Sequence, residues 1–153
     1  MANFIGDHLC KLDGKGRLLF PAALKKQLSG KAERFVIKKD LFEKCLTIYT
    51  MDEWESQNQV IRSQINTFNK EHNRFLRGFY RGTAEVALDN NSRLLIPRRL
   101  LDEAGIDKDV VLSGQDAKIE VWAKEVYDTI GEDENEFAAL AEKIMQGKKN
   151  AEE

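Results

Sequence analysis

The stretch that decides the fold is LDGKGRLLFP, residues 12–21, which returns as LDNNSRLLIP at residues 88–97. The two stretches lie 76 positions apart. When residues 8–25 are aligned with 84–101, seven positions are identical, and six of them fall inside the quoted stretches. Self-similarity at a fixed offset is the signature of a duplicated unit. The chain is therefore predicted to contain two copies of one small unit.

Each copy shows the same order of elements. A short strand with alternating apolar residues leads to a polar tip, and a second apolar strand leaves it. A proline ends that second strand and can open a short helix, because its fixed φ and missing N–H suit the first helical turn. A β-hairpin follows, and a further helix begins near Met51 in the first copy and near Lys124 in the second. The elements before those helices are predicted at 10–12, 18–20, 22–28, 35–37 and 46–49, and at 86–88, 94–96, 98–104, 110–112 and 119–122.

Neither copy has enough apolar surface to be stable alone, because four strands of about three to five residues make a marginal sheet. We expect the two copies to clasp each other around one shared core. The predicted fold class is α+β and β-rich, with two pseudo-symmetric repeats and added helices between the repeats and at the C-terminus. The predicted division is a first repeat at 7–54, a helical connector at 55–82, a second repeat at 83–127, and a C-terminal helix and tail at 128–153.

Residues 51–80 carry apolar side chains at a seven-residue spacing, which is typical of one face of a helix or of two helices in line. This face either packs against the sheet or forms a subunit interface, and the sequence leaves both open. His72 lies on the same face, as a packing residue or as a ligand. The two rows are Trp54, Ile61, Phe68 and Phe75, and Ile65, His72 and Phe79.

The composition is that of a globular protein, since 42% of the 153 residues are hydrophobic and 33% are charged. The sequence has no run of 18 apolar residues and its first residues do not resemble a signal peptide, so a cytoplasmic location without membrane contact is expected. The net charge of −2 conceals an asymmetry. Residues 1–50 hold 10 basic and 5 acidic residues, whereas residues 84–129 hold 6 and 10. The basic first copy is therefore suited to face phosphates.

The sequence lacks the patterns of common catalytic and metal sites. It has no GxSxG motif, no P-loop and no carboxylate cluster within apolar sequence, so neither an enzyme nor a small-molecule substrate is expected. Cys10 and Cys45 are too few for a disulfide framework and are expected to be reduced and mostly buried. Together with His8 and His72 they do not have the spacing of a zinc site, and neither a metal nor a cofactor is expected.

Asp13 and Arg17 flank the polar tip of the first copy. Asp-Gly between apolar strands predicts a tight hairpin, in which the aspartate can accept from nearby backbone N–H groups and Gly16 can supply a positive φ. The arginine either pairs with its own aspartate or reaches outward to a phosphate or to guanine O6 and N7. One Asp-x-x-x-Arg pattern is weakly specific, but two copies followed by Leu-Leu-x-Pro favour DNA contact. The candidate DNA-contacting residues are Arg17, Lys15, Asp13, Arg93, Asp89 and Lys11, with both aspartates acting mainly to fix the turns.

The second tip differs from the first in composition. Asn90 and Asn91 replace the glycine-rich turn, and asparagine also tolerates left-handed backbone geometry. The second copy is net acidic, which weakens the case for equal roles of the two arginines. Further basic residues near the tips either add phosphate contacts or form ordinary solvated surface, namely Lys25, Lys26, Arg98 and Arg99.

The doubled motif, the joining stretch NRFLRGFYRGTAEVALD and the later DVVLSGQDAKIEVWAKEVYD resemble the MraZ family over most of residues 1–130. The resemblance implies an AbrB-like double-split β-barrel, in which the two repeats form a pseudo-dimer, and ring-shaped homo-oligomers. It also implies transcriptional regulation of the bacterial division and cell-wall gene cluster through short direct repeats of double-stranded promoter DNA at the nucleoid. By the same resemblance Asp13, Arg17, Asp89 and Arg93 fall on the DNA-contacting tips. Ser92 stands where the family usually has glycine, which leaves a differently shaped second tip open.

Two other functions remain open on sequence grounds. Some antitoxins share this class of barrel, although they usually carry one copy and a disordered tail that wraps a toxin. The other alternative is a ring-forming scaffold that does not bind DNA.

Overall fold

The computed structural model describes residues 2–28 and 34–152, with side chains as far as residue 147, and the fold is α+β. The predicted order of elements is present in both copies. The first copy contains β1 (Phe4–Lys11), β2 (Arg17–Leu19), α1 (Ala22–Lys25), β3 (Arg34–Lys39), β4 (Leu46–Thr50) and the start of α2 (Met51–Gln64). After α3 (Lys70–Tyr80) come β5 (Ala84–Ala87), β6 (Arg93–Leu95), α4 (Arg98–Glu103), β7 (Asp109–Asp116), β8 (Lys118–Ala123), α5 (Lys124–Tyr127) and α6 (Glu134–Glu152).

The strands form one six-stranded antiparallel sheet, in the order β1-β7-β8-β4-β3-β5, and a separate two-stranded ribbon of β2 and β6. This order is pseudo-symmetric. Replacing each strand by its counterpart in the other copy gives the same order, read from the opposite edge of the sheet. The pairs β1–β7, β3–β5, β4–β8 and β2–β6 each join one copy to the other. The two copies therefore clasp each other as predicted, whereas the strand pairs within residues 2–28 and 34–152 do not close into a barrel.

One core is shared by the ribbon, the sheet and the short helices. Leu18 and Leu94, on the inner face of the ribbon, are fully buried and lie opposite each other. Phe20 follows β2 and packs against Phe35 of β3, with the ring centroids 5.4 Å apart. Since both copies contribute to this single cluster, neither has a complete core without the other.

β1 is longer than the sequence predicted, because it begins at Phe4 rather than at Cys10. All eight of its residues pair with β7. The local alternation of apolar residues indicated only the end of the strand. Its full length depends on pairing with β7, which belongs to the second copy. The short helices α1 and α4 end before the predicted Leu28 and Ala104.

α2 and α3 fold back on each other, so the prediction that they continue in line is wrong. The Trp54 indole near the start of α2 stacks on the Phe79 ring near the end of α3, with centroids 6.0 Å apart. The Tyr80 hydroxyl donates to the Asn58 side chain. Phe68 lies in the connection between the helices and is 98% exposed, so the seven-residue stripe is interrupted there.

The buried part of this helical pair packs on the sheet. Phe79 is buried, and the Lys38 ammonium of β3 lies 4.1 Å from the centre of its ring. His72 Nδ1 accepts a hydrogen bond from the Asn66 N–H at 2.9 Å, as expected of a packing residue rather than of a ligand. The subunit-interface interpretation concerns the exposed side of the pair, and it stays a prediction.

α6 lies in the part of the chain for which a C-terminal helix is predicted, and its apolar side chains face solvent. Phe137 is 60% exposed and Ile144 is 59% exposed. Among the helices within the described residues, none combines the length and the apolar character that crossing a membrane requires.

Candidate nucleic-acid interface

The tip of the first copy is a turn closed by one carboxylate. Asp13 Oδ1 accepts hydrogen bonds from the backbone N–H groups of Lys15 and Arg17, each at 2.9 Å. The backbone adds two more bonds, from the Asp13 N–H to the Arg17 carbonyl at 2.8 Å and from the Gly16 N–H to the Asp13 carbonyl at 3.0 Å. The aspartate therefore fixes the turn, as the sequence predicted for this residue type.

The second tip repeats this geometry despite its different residues. Asp89 Oδ1 accepts from the backbone N–H groups of Asn91 and Arg93 at 2.8 and 2.9 Å. Ser92 has φ 59°, close to the centre of the small left-handed region that non-glycine residues can enter, whereas Gly16 has φ 84°. The serine therefore leaves the hydrogen bonds of the tip unchanged, although φ at this position differs between the two tips.

Each arginine pairs with its own aspartate through one nitrogen. Arg17 Nε donates to Asp13 Oδ2 at 2.8 Å, and Arg93 Nε donates to Asp89 Oδ2 at 3.0 Å. In the part of the chain that the structure describes, the terminal Nη groups of these two arginines have no hydrogen-bond partner. The side chains are 27% and 34% exposed. The two roles that the sequence left open are thus compatible, because the aspartate occupies one edge of the guanidinium and the Nη edge remains for a ligand.

The hydrogen bonds of the tips also set the charge of the carboxylates. The pKa of Asp13 is lowered to about 2, chiefly by the hydrogen bond from the backbone N–H of Arg17. The pKa of Asp89 is lowered too, first by the backbone N–H of Arg93. Both carboxylates are therefore charged at neutral pH, where they hold the guanidinium groups in fixed orientations.

The ribbon connects the two tips, which lie at its opposite ends because β2 and β6 run antiparallel. Phe20 N–H donates to the Ser92 carbonyl at 2.9 Å, and the symmetry-related Ile96 N–H donates to the Gly16 carbonyl at 3.0 Å. Each strand of the ribbon is thereby bonded to the tip of the other copy. The outer face of the ribbon carries four side chains in two cross-strand pairs, Arg17 opposite Leu95 and Leu19 opposite Arg93.

The other basic candidates lie in three different places: at the first tip, at the end of β1 and on α1. Lys15 is exposed at the first tip, whereas Lys11 is exposed at the end of β1, opposite Asp109 in the strand register. Lys25 of α1 reaches the second tip, where its Nζ donates to Ser92 Oγ at 2.7 Å. Lys25 belongs to the first copy, and this contact brings its positive charge to the tip of the acidic second copy.

Two exposed leucines on the ribbon were not singled out from the sequence. Leu19 is 63% exposed and Leu95 is 52% exposed, although both belong to strands that were described as apolar. Strict alternation along each Arg-Leu-Leu run would have found them, since residues two apart on a strand face the same side. The side chains of Leu19 and Arg17 therefore share the outer face.

The described residues contain one group that could hold a metal ion, formed by Asp40, Cys45 and Glu120. Its atoms already have other roles. Asp40 accepts from two backbone N–H groups and from Thr47 Oγ1, and Glu120 accepts from Trp122 Nε1. Burial raises the pKa of the Cys45 thiol, which opposes formation of a thiolate ligand. The group is therefore a set of structural hydrogen bonds, and both cysteines are free thiols.

Comparison with known proteins places the whole chain in one family. Both copies match the family described as "MraZ protein, putative antitoxin-like", at residues 3–78 and 79–147. A protein of Christiangramia forsetii named "Transcriptional regulator MraZ" is 44% identical over 147 residues, which cover 95% of this chain and 94% of the relative. Relatives with the same name from Flavobacterium psychrophilum and Clostridium beijerinckii are 42% and 38% identical, over 95% and 92% of this chain and 93% and 96% of their own lengths. The duplicated chain with paired Asp-x-x-x-Arg tips belongs to the MraZ family.

Proposed function

We propose that this protein is a sequence-specific DNA-binding transcriptional regulator and that Arg17 and Arg93 contact the duplex. The observation that carries the proposal is the matched pair of tips, in which each Nε is held by an aspartate and the Nη edge has no described partner. The names of its relatives, which call them transcriptional regulators, point in the same direction.

The dimensions of the ribbon suit the major groove. Two hydrogen-bonded strands lie about 4.8 Å apart, and the groove, about 12 Å wide, admits a two-stranded β-ribbon. The Nη edge of an arginine can fork onto guanine O6 and N7 or onto a phosphate. Because the aspartate already fixes the guanidinium, less side-chain freedom is lost on binding. Lys15, Lys25 and Lys11 would then contact phosphates, which position the protein without reading bases.

The assembly and the target belong to the same proposal. We propose a double-split β-barrel, supported by the exchange of strands between copies, with repeat boundaries at 7–54 and 83–127, a connector at 55–82 and a C-terminal part at 128–153. We further propose a ring-shaped homo-oligomer that binds short direct repeats in the promoter of the division and cell-wall gene cluster, in the cytoplasm at the nucleoid. A rigid assembly that presents several tips would bind successive repeats cooperatively, since each later contact is intramolecular.

A mobility-shift titration tests the proposal. The probe is a duplex from the region upstream of the protein's own gene, with a shuffled duplex of equal length and composition as the control, at several salt concentrations. We expect tighter binding of the upstream duplex, and an affinity that falls steeply with salt because phosphate contacts release counterions. Equal binding of both duplexes at every salt concentration, or no binding at all, would contradict the proposed function. The native mass with and without DNA tests the ring.

A second candidate function is neutralisation of a toxin, because the description of the matching family contains the word antitoxin-like. The two fused copies and the helical α6 differ from the single copy with a disordered tail that is common in antitoxins. A co-expressed toxin that purifies with the protein and loses its activity would favour this candidate. A scaffold that does not bind DNA would form the ring and fail the mobility-shift test.

A further inference from the structure

The repeat contains four identical pairs of leucines, and they do not share one environment. Three pairs are buried: Leu12 and Leu88, Leu18 and Leu94, and Leu24 and Leu100. The fourth pair, Leu19 and Leu95, is 63% and 52% exposed on the outer face of the ribbon. The core explains the three buried pairs, but it does not explain why a large apolar side chain occupies the same solvent-facing position in both copies.

We propose that Leu19 and Leu95 contact the C5-methyl groups of thymines in the major groove, beside the bases or phosphates contacted by the arginines. The inference rests on the proposed DNA-binding function and adds to it an apolar component of sequence recognition. The thymine methyl is the apolar group that base edges present in this groove, and a leucine side chain can contact it without leaving a hydrogen-bonding group unpaired.

The register of the ribbon brings each leucine close to an arginine. Leu95 lies directly opposite Arg17, and Leu19 lies directly opposite Arg93. Opposite Cβ atoms in an antiparallel pair are about 4.5–5.5 Å apart, and residues two apart on one strand are separated by about 6.8 Å. Base pairs are stacked about 3.4 Å apart along each DNA strand. A leucine on this face would therefore lie within about two base-pair steps of the position reached by an arginine.

The charges on the ribbon favour DNA over a second copy of the protein on this face. Arg17 and Arg93 lie diagonally across the leucine pair. Asp13 and Asp89 pair with only the Nε edge of these arginines, so two such faces packed together would bury the Nη donors of four guanidinium groups without acceptors, which opposes association. Duplex DNA is a polyanion whose major groove presents thymine methyl groups, so it can contact both the arginines and the leucines of this face.

A duplex in which deoxyuridine replaces thymidine tests the inference, because uracil lacks the methyl group and keeps the other groups of the base. The probe is the upstream duplex, made with thymine or with uracil. The proteins are the wild type, the double variant Leu19→Ala with Leu95→Ala, and Leu41→Ala, which truncates an exposed leucine outside the ribbon. Wild type and Leu41→Ala should bind the uracil duplex about fourfold more weakly for each thymine methyl that a leucine covers. The double variant should bind the thymine duplex more weakly and bind both duplexes equally.

Three outcomes overturn the inference while leaving DNA binding intact. The first is a wild type that binds the two duplexes equally, and the second is a double variant that retains the full preference for thymine. The third is a double variant with a lower native mass than the wild type, which would make the leucines subunit contacts. Failure of the wild type to bind either duplex would instead contradict the proposed function itself. Because both leucines are largely exposed, the double variant is expected to keep the thermal stability of the wild type, and a thermal melt checks this.

Discussion

Asp13 and Arg17 are joined by three hydrogen bonds: Asp13 accepts from the backbone N–H and from the Nε of Arg17, and its own N–H donates to the Arg17 carbonyl. The side chain that orients the guanidinium is thus the same one that closes the turn. Asp89 and Arg93 are joined in the same three ways. The aspartates therefore orient the guanidinium groups, and in the proposed function the arginines make the contacts with DNA.

The positioning role predicts an order of affinities at the first tip. Asp13→Asn keeps an oxygen for the backbone N–H groups but loses the charge that holds Arg17 Nε. The arginine side chain then becomes more mobile and must be ordered on binding, so promoter binding should weaken about 3- to 10-fold. Asp13→Ala loses both functions and should weaken binding further. Fluorescence anisotropy with the upstream duplex measures the order. Tighter binding by Asp13→Asn would mean that the carboxylate only repels phosphates, which would contradict the positioning role.

Acid should disrupt the tip in a defined range of pH. The pKa of Asp13 is about 2 in the folded chain and 3.8 in its ordinary state, so the carboxylate stabilises the fold above pH 3.8, and this contribution is lost as the pH falls through about 2. Carboxyl carbon shifts followed by NMR should give a midpoint for Asp13 well below 3.8. In Arg17→Ala the pKa should remain low, because the main cause is a backbone N–H that alanine retains. A midpoint at 3.8 in the wild type would show that the tip is open in solution.

Arg17→Ala and Arg93→Ala should weaken promoter binding to a similar extent, by about 5- to 150-fold each if the contact is bidentate. The acidity of the second copy favoured unequal roles, but the two tips have matching hydrogen bonds and Lys25 adds a positive charge to the second. Anisotropy titrations of both variants measure the ratio, and unchanged native mass and melting temperature show that the fold is intact. A loss confined to Arg17→Ala would restore the unequal assignment.

The sequence predicted the tips well because their geometry is local. The aspartate, the turn and the arginine lie within five consecutive residues in each copy, so residue type and spacing determined the hydrogen bonds. The pairing of the two copies also followed from the duplication, since two marginal units must share a core. These are the features for which short-range chemistry and a visible repeat are sufficient.

Features that depend on contacts between distant residues were not predicted. Lys25 and Ser92 are 67 positions apart, and nothing in either segment indicates their hydrogen bond. The reversal between α2 and α3 was missed because a seven-residue spacing continues through the exposed Phe68. The exposure of Leu19 was missed for a different reason: local alternation along Arg-Leu-Leu indicates it, but the strand was described only as apolar, although the preceding Leu18 already fills the core.

Lys25 should contribute a phosphate contact at the second tip. Its Nζ lies 2.7 Å from Ser92 Oγ, on an exposed side chain beside the ribbon. Lys25→Met should weaken binding of the upstream and shuffled duplexes alike and reduce the slope of log affinity against log salt by about 1. Lys70→Met removes the same charge at the start of α3 and serves as the matched control. An unchanged slope in Lys25→Met would limit this residue to a structural hydrogen bond.

Exchanging the residues before the two arginines should have unequal effects on stability. Gly16 has φ 84°, and a Cβ there would lie 3.2 Å from the Ile96 carbonyl oxygen. Gly16→Ser should therefore lower the free energy of unfolding by about 1–2 kcal/mol. Ser92→Gly removes the strain of a left-handed non-glycine residue at φ 59°. It also raises the conformational entropy of the unfolded chain and removes the hydrogen bond from Lys25, so the free energy of unfolding should change by no more than about 1 kcal/mol. Urea unfolding measures both midpoints at constant slope, and equal losses in the two variants would show that the tips tolerate side chains alike.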